Sequence, residues 1–520
     1  MNPLIIALYV AIAYFLVIIT LWKTGLASKY NISFAGPILM LRTERGKKTL
    51  DSVARPRRFW LFYGALSRII FIVGMVLMVM LLLWEATLVF SIPKQSVPAP
   101  QTYLLLPGIN PFVPVGYGIL GLVVAVVFHE LSHGVLSRAQ DIKVKSMGVL
   151  LLIFPIGAFV EPDQEELEAA SPSRRIKVFG VGPATNMVFA FVFLLILVFP
   201  LMGSATPIHS GLVADAVYTD SSSYAAGIRQ WGEIVSLNGT ALSGTSQFYG
   251  INGLVPGENY SVEYILNGRY HNGSVTAGVV VTGTIAGSPA RAAGVKPGYI
   301  IYSMNNTVIY NYNLLLATFQ NTTPNETVPF VFIQHNGTRQ SMNIRLSSEA
   351  AVEGITPKGK QIGFLGIYLA YMGVEVTPSA LLVGLLKNPF YGANSISGYL
   401  QSGLQFLLFP FEGLSPVPAG IQSLFTGTGV ASQWFWIAVN SCYWIFWINL
   451  WVGLFNMLPA IPLDGGYLFR DNLRILLKKV MTGASDENRE RVALRVTSLF
   501  SVLIFLLILW QIIGPRLLYI

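Results

Sequence analysis

The chain has 520 residues, of which 53% are hydrophobic and only 11% are charged, and its mean hydropathy is +0.58. Soluble domains usually carry about 25% charged residues, so this composition excludes an ordinary soluble protein and predicts a polytopic membrane protein. The net charge of +9 lies mostly in two segments between apolar runs, which indicates membrane topology and not a nucleic-acid partner. The single cysteine, Cys442, excludes an intrachain disulfide and a cysteine-rich metal site.

Six apolar runs are long enough to cross the lipid bilayer, and no cleavable signal peptide is evident. They cover residues 4–22, 60–91, 115–138, 176–202, 433–457 and 496–513. Two segments are rich in Lys and Arg. They are residues 23–58 and the segment from Arg470 to Arg495, which we interpret as a loop. The positive-inside rule places both at the cytoplasmic face, so we expect a multi-pass protein of the cell membrane with both ends outside.

The third run contains the sequence His129-Glu-Leu-Ser-His133. Two imidazoles four residues apart lie on the same face of a helix, so both can bind one metal ion. Glu130, between them, can act as a general base for a water molecule. Ionisable groups are costly in a membrane helix, which favours a functional site over two buried histidines with an unrelated carboxylate. By the topology above, both histidines fall in the cytoplasmic half of the membrane.

A third metal ligand is needed, because catalytic zinc usually has three protein ligands and one open position. The other histidines lie outside the apolar runs, which leaves carboxylates at the cytoplasmic end of the spans, namely Asp464 and Glu161. Asp464 is favoured because the prolines and glycines around it, from Asn456 to Gly466, interrupt the helix. The sequence therefore predicts one Zn²⁺ per chain.

Two further segments are open to more than one interpretation. Residues 144–160 are apolar but are interrupted by Gly148, Pro155 and Gly157. They fit a re-entrant pair of strands whose free edge holds an extended substrate, or else a plain interfacial loop. Asn186, inside the fourth run, is equally consistent with a residue of the site and with a helix–helix contact.

Residues 203–375 are rich in Gly, Ser, Thr and Asn and contain a repeat with an offset of 67 residues. Ala226-Gly227-Ile228 matches Ala293-Gly294-Val295, for example. The second copy, with GSPA at 287–290, resembles PDZ domains of bacterial and archaeal proteases. We predict two PDZ-like domains, at 205–277 and 278–371, outside the cell, with peptides as possible ligands. The alternative is a single β-rich domain with a chance repeat.

Three motifs together resemble the site-2 proteases, which are intramembrane zinc metalloproteases, in a prokaryotic, archaeal type. They are FHELSHG (128–134), GPATN (182–186) and NMLPAIPLDGG (456–466). The resemblance implies that His129, His133 and Asp464 bind zinc and that Glu130 is the catalytic base. It also implies that Asn186 and Asn456 lie near the site, where they stabilise the oxyanion or position the substrate.

The expected fold is a polytopic α-helical membrane protein with a soluble α+β insert. Residues 1–202 form an N-terminal membrane part, 376–432 an interfacial or re-entrant connector, and 433–520 a C-terminal membrane part. The expected function is regulated intramembrane proteolysis, the hydrolysis of a peptide bond in or near the membrane helix of single-span proteins. The alternative is a membrane receptor or scaffold that binds external peptides and has a structural metal site.

Overall fold

The structure is a computed structural model that describes residues 3–44, 46–91, 97–152, 154–353, 361–388, 390, 392–427 and 432–517. It divides into two compact units, Met1–Leu197 with Ala438–Ile520 and Val198–Ile437. The helices are α1 (Pro3–Lys23), α2 (Leu26–Lys29), α3 (Lys47–Ala54), α4 (Arg57–Leu88), α5 (Val115–Ala139), α6 (Gln164–Ala169), α7 (Pro172–Ile196), α8 (Ser222–Ala225), α9 (Thr245–Gly250), α10 (Pro289–Ala292), α11 (Tyr312–Gln320), α12 (Glu349–Glu353), α13 (Ser379–Lys387), α14 (Ile396–Leu408), α15 (Ala419–Gln422), α16 (Ser432–Asn456), α17 (Asp464–Val480) and α18 (Asp486–Leu517).

The strands follow the same chain order. They are β1 (Ile32–Ala35), β2 (Ile38–Thr43), β3 (Val144–Leu152), β4 (Phe154–Pro162), β5 (Ala205–Pro207), β6 (Leu212–Val217), β7 (Glu233–Leu237), β8 (Thr240–Ala241), β9 (Asn259–Leu266), β10 (Arg269–Thr276), β11 (Val279–Thr284), β12 (Ile300–Met304), β13 (Thr307–Val308), β14 (Thr327–Ile333), β15 (Arg339–Arg345), β16 (Ile367–Tyr371), β17 (Val374–Pro378) and β18 (Phe425–Gly427).

Among the described residues, five helical stretches are long and apolar enough to cross a membrane. They are Arg57–Ser91, Val115–Ala139, Pro172–Ser204, Trp434–Asn456 and Asp486–Leu517. Each contains or closely matches one of the last five predicted runs. The first run falls on α1, within which Ile12–Lys23 is a shorter apolar helix. A membrane protein is therefore supported, and the total of six spans stays a prediction.

The two basic segments are more structured than their charge suggested. Residues 23–58 contain β1, β2 and α3. The segment from Arg470 to Arg495, interpreted as a loop, contains the end of the 17-residue helix α17 and the beginning of α18. α17 is amphipathic: Leu468 and Ile475, seven residues apart, pack with Phe71 and Ile176. Composition alone does not predict this apolar face, because basic residues are numerous in the segment.

The predicted pair of strands at 144–160 is present as the antiparallel hairpin β3–β4. It belongs to a four-stranded sheet of order β1-β2-β3-β4, in which β4 is an edge strand and packs against α5. A Cβ at Gly134 would lie 2.7 Å from a methyl of Val160, so the glycine permits this close contact. Val160 and Val144 form a small core with Val135 and Leu50. The sheet is thereby fixed beside the part of α5 that carries the two histidines.

Strands β2, β3 and β4 are also joined by a polar cluster. Glu161 accepts hydrogen bonds from Arg42 and from Ser146. Burial raises the pKa of the Glu161 carboxyl, but these hydrogen bonds outweigh burial, so its pKa lies below the ordinary value of 4.5. A carboxyl whose pKa is lower in the folded state stabilises the fold at higher pH and loses that contribution as it is protonated.

We therefore expect the free energy that stabilises this sheet to decrease as the pH falls below about 4.5, the ordinary pKa of the carboxyl. Protection factors of the β2–β4 amides, which are exchange rates corrected for the intrinsic rate at each pH, test this directly in detergent between pH 6 and pH 3. Glu161→Gln is the matched control, because its protection factors should lose this pH dependence. An unchanged pH dependence in the glutamine variant would rule out Glu161 as the responsible group.

The second unit contains two antiparallel sheets with the same strand pattern. The first has the order β10-β9-β7-β6-β17 and the second has the order β15-β14-β12-β11-β16. The repeated pattern explains the 67-residue offset. β17 follows the second repeat in the sequence but pairs with β6 of the first sheet. The first sheet therefore includes residues beyond 277, and the second is inserted between its strands.

The segment 376–432 begins within β17 and continues mainly as helices α13, α14 and α15, followed by strand β18. These helices have between 4 and 13 residues, which agrees with the prediction of short elements and no complete span. β18 pairs with β5, so the end of the segment returns to the beginning of the insert. Whether the segment lies at the membrane interface stays a prediction.

Candidate metal centre

Three of the predicted site residues lie together. His129 and His133 are buried on α5 with their Nε2 atoms 3.2 Å apart. The Oδ2 atom of Asp464 lies 3.0 Å from Nε2 of His129 and 3.4 Å from Nε2 of His133. The three ligand atoms lie within 4.8 Å of one another. Two imidazole nitrogens and a carboxylate oxygen that converge in this way are a suitable donor set for a divalent metal ion.

The second nitrogen of each imidazole is also engaged. Nδ1 of His133 lies 2.6 Å from the carbonyl oxygen of Val178, which can only accept, so Nδ1 carries the hydrogen and Nε2 keeps its lone pair. Nδ1 of His129 lies 3.2 Å from the amide of Asn186. Among the described residues, Oδ1 of Asn186 is buried without a hydrogen-bond partner. Exchanging the amide oxygen and nitrogen allows Nδ1–H of His129 to donate to Oδ1, which satisfies both groups.

Asn186 therefore orients a candidate metal ligand. Hydrogen bonds of this kind select the tautomer in which Nε2 is free to bind metal. Of the two interpretations of Asn186, the contact with His129 favours a residue of the site. Asn456 lies at the end of α16, where its amide donates to the carbonyl of Val452 at 3.1 Å and its side chain lines the same cavity as the histidines.

The turn between α16 and α17 brings Asp464 to the histidines. α16 ends at Asn456, and Asp464 is the first residue of α17. A Cβ at Gly465 would lie 2.0 Å from the carbonyl oxygen of Leu458, and a Cβ at Gly466 would lie 2.5 Å from the nitrogen of Ile461. The two glycines therefore let the first turn of α17 pack against the preceding turn, and this packing directs the carboxylate inward.

α7 crosses α5 at the level of the histidines. A Cβ at Gly182 would lie 2.3 Å from Nε2 of His133 and 2.7 Å from Nε2 of His129. Only a residue without a side chain leaves room for the imidazoles here. The glycine belongs to the GPATN motif at 182–186, so the sequence contains the signal for this close approach.

Glu130 lies beside these groups and lines a cavity of about 450 Å³ with His129, His133, Asp464 and Asn456. Its Oε2 atom accepts a hydrogen bond from the backbone N–H of Val160 at 3.2 Å. The carboxylate is thus held between α5 and the edge strand β4. A carboxylate beside the three candidate ligands, in a cavity large enough for water, is suitably placed for proton transfer.

Glu161, the alternative third ligand, does not belong to this group in the structure. Its carboxylate is bonded to Arg42 and Ser146 within the β-sheet. Asp464 is the carboxylate that the fold brings to the histidines. The structure also contains a buried ion pair between Arg175 and Asp471, which lie 296 positions apart in the chain and are not joined by any predicted contact. No local pattern joins two residues at that separation.

Comparisons with known proteins identify the family of the chain. The model of the family described as "Peptidase family M50" matches residues 117–504. An uncharacterized protein, MJ0971, of Methanocaldococcus jannaschii is 31% identical over 159 residues, which cover 30% of this chain and 42% of that protein. The match thus spans less than half of the length of that relative.

A solved structure, the PDZ domain of the SdrC-like protein Lmo2051 from Listeria monocytogenes, is 17% identical and covers 18% of this chain and 88% of its own. Its TM-score is 0.15, which is too low to support an argument about the fold. The family match, in contrast, extends over most of the chain and includes all three motifs with the candidate ligands. The chain therefore belongs to peptidase family M50, the site-2 protease family of metallopeptidases.

Proposed function

We propose that this protein is an intramembrane zinc metalloprotease that hydrolyses a peptide bond in or near the membrane helix of single-span membrane proteins. The observation that carries the proposal is the convergence of His129, His133 and Asp464 beside Glu130. Two of these ligands and the glutamate lie on α5, a helix long and apolar enough to span a membrane.

Zinc fits this donor set better than the harder ions do. Mg²⁺ and Ca²⁺ prefer oxygen ligands, whereas zinc accepts imidazole nitrogen together with carboxylate oxygen. Three protein ligands are typical of a catalytic zinc site with an open position, and a structural site normally has four. Among the described residues three ligand groups converge at this point, and this count argues against a scaffold protein with a purely structural metal.

The catalytic roles follow from the side chains. His129, His133 and Asp464 would hold a zinc ion, which would supply Lewis acidity for the scissile carbonyl and for the attacking water. Glu130 takes the proton from that water and passes it to the leaving amine. Val178 and Asn186 hold the imidazoles in the tautomer that leaves each Nε2 free. Asn456, at the border of the cavity, is placed to position substrate or to stabilise developing negative charge.

The edge strand β4 is the proposed docking site for an unwound substrate. In the membrane helix of a substrate, the backbone N–H groups donate to carbonyls of the same helix. The helix must therefore be extended locally before its peptide bond can be hydrolysed. The N–H of Val160 reaches Glu130 and so points away from β3. N–H groups two residues apart along a strand point the same way, so Ala158 also presents its N–H at this free edge. Main-chain hydrogen bonds along this edge would hold the substrate beside the catalytic base.

Ala158→Pro tests this docking site, since proline removes one N–H from the free edge without removing a β3–β4 hydrogen bond. One main-chain hydrogen bond contributes about 0.5–1.5 kcal/mol, so we expect kcat/KM to fall by roughly 2- to 12-fold. Zinc content should not change. Ala158→Val is the matched control, because it keeps the N–H. Equal kcat/KM for the proline variant and the wild type would contradict docking at this edge.

In the proposed orientation the metal centre lies in the cytoplasmic half of the membrane and the PDZ-like domains lie outside the cell. The excess of Lys and Arg in the two basic segments supports this orientation through the positive-inside rule. In this arrangement the PDZ-like domains are available to external peptides. The proposed partners are thus single-span substrates, the bilayer and peptide ligands of the insert. Cysteine labelling from the two sides of sealed vesicles tests the orientation.

Cleavage of a single-span substrate in detergent tests the proposed function. We expect cleavage by the purified protein, loss of cleavage after treatment with a zinc chelator, and recovery when zinc is added back. Cleavage that is insensitive to complete metal removal would contradict a zinc protease. Stoichiometric zinc with no cleavage of any single-span substrate tried would favour the scaffold alternative.

A further inference from the structure

Helix α7 supplies none of the three candidate metal ligands. It does form hydrogen bonds with two of them, and it forms an ion pair with the helix that carries the third. The carbonyl of Val178 holds His133, and the amide of Asn186 holds His129. The third ligand, Asp464, lies at the start of α17, and α17 is joined to α7 by the ion pair between Arg175 and Asp471. α7 is therefore in a position to set the relative placement of all three ligands.

The ion pair is closely fitted and buried. Nε of Arg175 donates to Oδ2 of Asp471 at 2.8 Å, and Nη2 donates to Oδ1 at 2.6 Å. The two side chains are only 6% and 0% exposed. Nη1 of Arg175 also donates to the carbonyls of Glu168 and Ala170, at 3.0 and 2.9 Å. Four of the five guanidinium N–H groups are thus occupied, so Arg175 is poorly suited to bind substrate although it lines the cavity.

Asp471 follows Asp464 by seven residues on α17, which is about two helical turns or 10.5 Å along the axis. The two carboxylates therefore project from nearly the same side of the helix. The start of α17 is fixed by the close packing of Gly465 and Gly466. Apolar packing of Leu468 near Gly180 holds the two helices together but is not directional. The paired hydrogen bonds of Arg175 add a directional contact that fixes the rotation of α17.

A contribution to stability alone is a weak explanation for this pair. Removing two charges from water costs several kcal/mol for each ion, and apolar replacement of a buried ion pair is often neutral or stabilising. We propose that Arg175 is a positioning residue, which fixes α17 through Asp471 so that Asp464 completes the metal site. This inference rests on the proposed zinc site and adds the residue that orients its third ligand.

The decisive variant is the double replacement Arg175→Met with Asp471→Leu in the full-length protein in detergent. It keeps an apolar contact between α7 and α17 and leaves no buried charge unpaired. We expect a thermal unfolding midpoint close to that of the wild type and a zinc affinity reduced by about 10- to 100-fold, as for other residues that orient metal ligands. Zinc affinity is measured by competition with a chromogenic chelator, independently of any cleavage assay.

The ion pair between Arg474 and Glu490 provides the matched control. It joins the same helix, α17, to α18, with 2.7 Å between Nε and Oε2. Replacing both residues with glutamine should leave zinc affinity unchanged. Wild-type zinc affinity in the Arg175→Met, Asp471→Leu variant would overturn the proposal. If that variant does not fold, Arg175→Lys decides, since lysine keeps the charge but cannot form the paired contact; wild-type affinity there would also overturn it.

His129→Ala separates failure of this inference from failure of the proposed function. If wild-type protein and His129→Ala bind zinc equally well, the proposed metal site itself is wrong. If His129→Ala loses zinc while the apolar double variant binds as the wild type does, only the positioning role of Arg175 is wrong.

Discussion

Glu130→Gln is expected to abolish measurable cleavage while zinc stays bound. Glutamine has nearly the same shape as glutamate but cannot accept the proton of the attacking water. A positioned general base typically contributes a factor of about 10²–10⁴ to the rate, and the loss should fall in or above this range. The initial rate of cleavage of a single-span substrate in detergent, with the zinc content of the same preparation, measures both quantities.

Glu165→Gln is a suitable control for this experiment. Glu165 is an exposed carboxylate in the first turn of α6, outside the residues that line the cavity. We expect cleavage at the wild-type rate. Retained turnover in zinc-loaded Glu130→Gln protein would refute the role of Glu130 as base. Loss of zinc in the same variant would show instead that Glu130 supports the metal site.

Gly182→Ala is expected to remove zinc binding, and with it cleavage, through a single methyl group. The added carbon would lie 2.3 Å and 2.7 Å from the Nε2 atoms of His133 and His129. These are the proposed metal-binding atoms, and either the rings or α7 must move to make room for the added carbon. Changing a residue that orients one metal ligand typically lowers metal affinity by about 10- to 100-fold. Because this methyl group displaces both rings, we expect a loss of about 100-fold, the upper end of that range. Chelator competition gives the affinity.

Gly116→Ala is the matched control for added volume, because it lies on α5 and an added Cβ there meets nothing within 4 Å. It should bind zinc as the wild type does. Gly182→Ser should behave as Gly182→Ala does or worse, since its side chain is larger. Normal zinc affinity in Gly182→Ala would mean that the rings are not held where the structure places them.

The part of the site that lies on α5 could be predicted from the sequence. His129, Glu130 and His133 lie within five residues, and the period of a helix alone places the two imidazoles on one face. Asp464 lies 335 positions from His129 and was favoured by helix-breaking residues together with the count of available ligands. The structure places that carboxylate at the imidazoles, while the tightly paired Glu161 lies elsewhere.

Elements that depend on distant partners could not be predicted. β1 and β2 lie in a basic segment, and they form strands because β2 pairs with β3, more than 100 residues later. β17 joins the first sheet although a complete second sheet lies between them in the sequence. The pairing of Arg175 with Asp471 is of the same kind. Composition and periodicity report on neighbours in the sequence, and these contacts exist only in the folded chain.

The central claim is that one zinc ion is held by His129, His133 and Asp464, and anomalous diffraction from zinc-loaded crystals at the zinc edge tests it most directly. The expected result is one anomalous peak per chain, at about 2.0–2.2 Å from Nε2 of each histidine and from a carboxylate oxygen of Asp464. A strong zinc peak elsewhere in the chain, with no density between these three side chains, would contradict the claim.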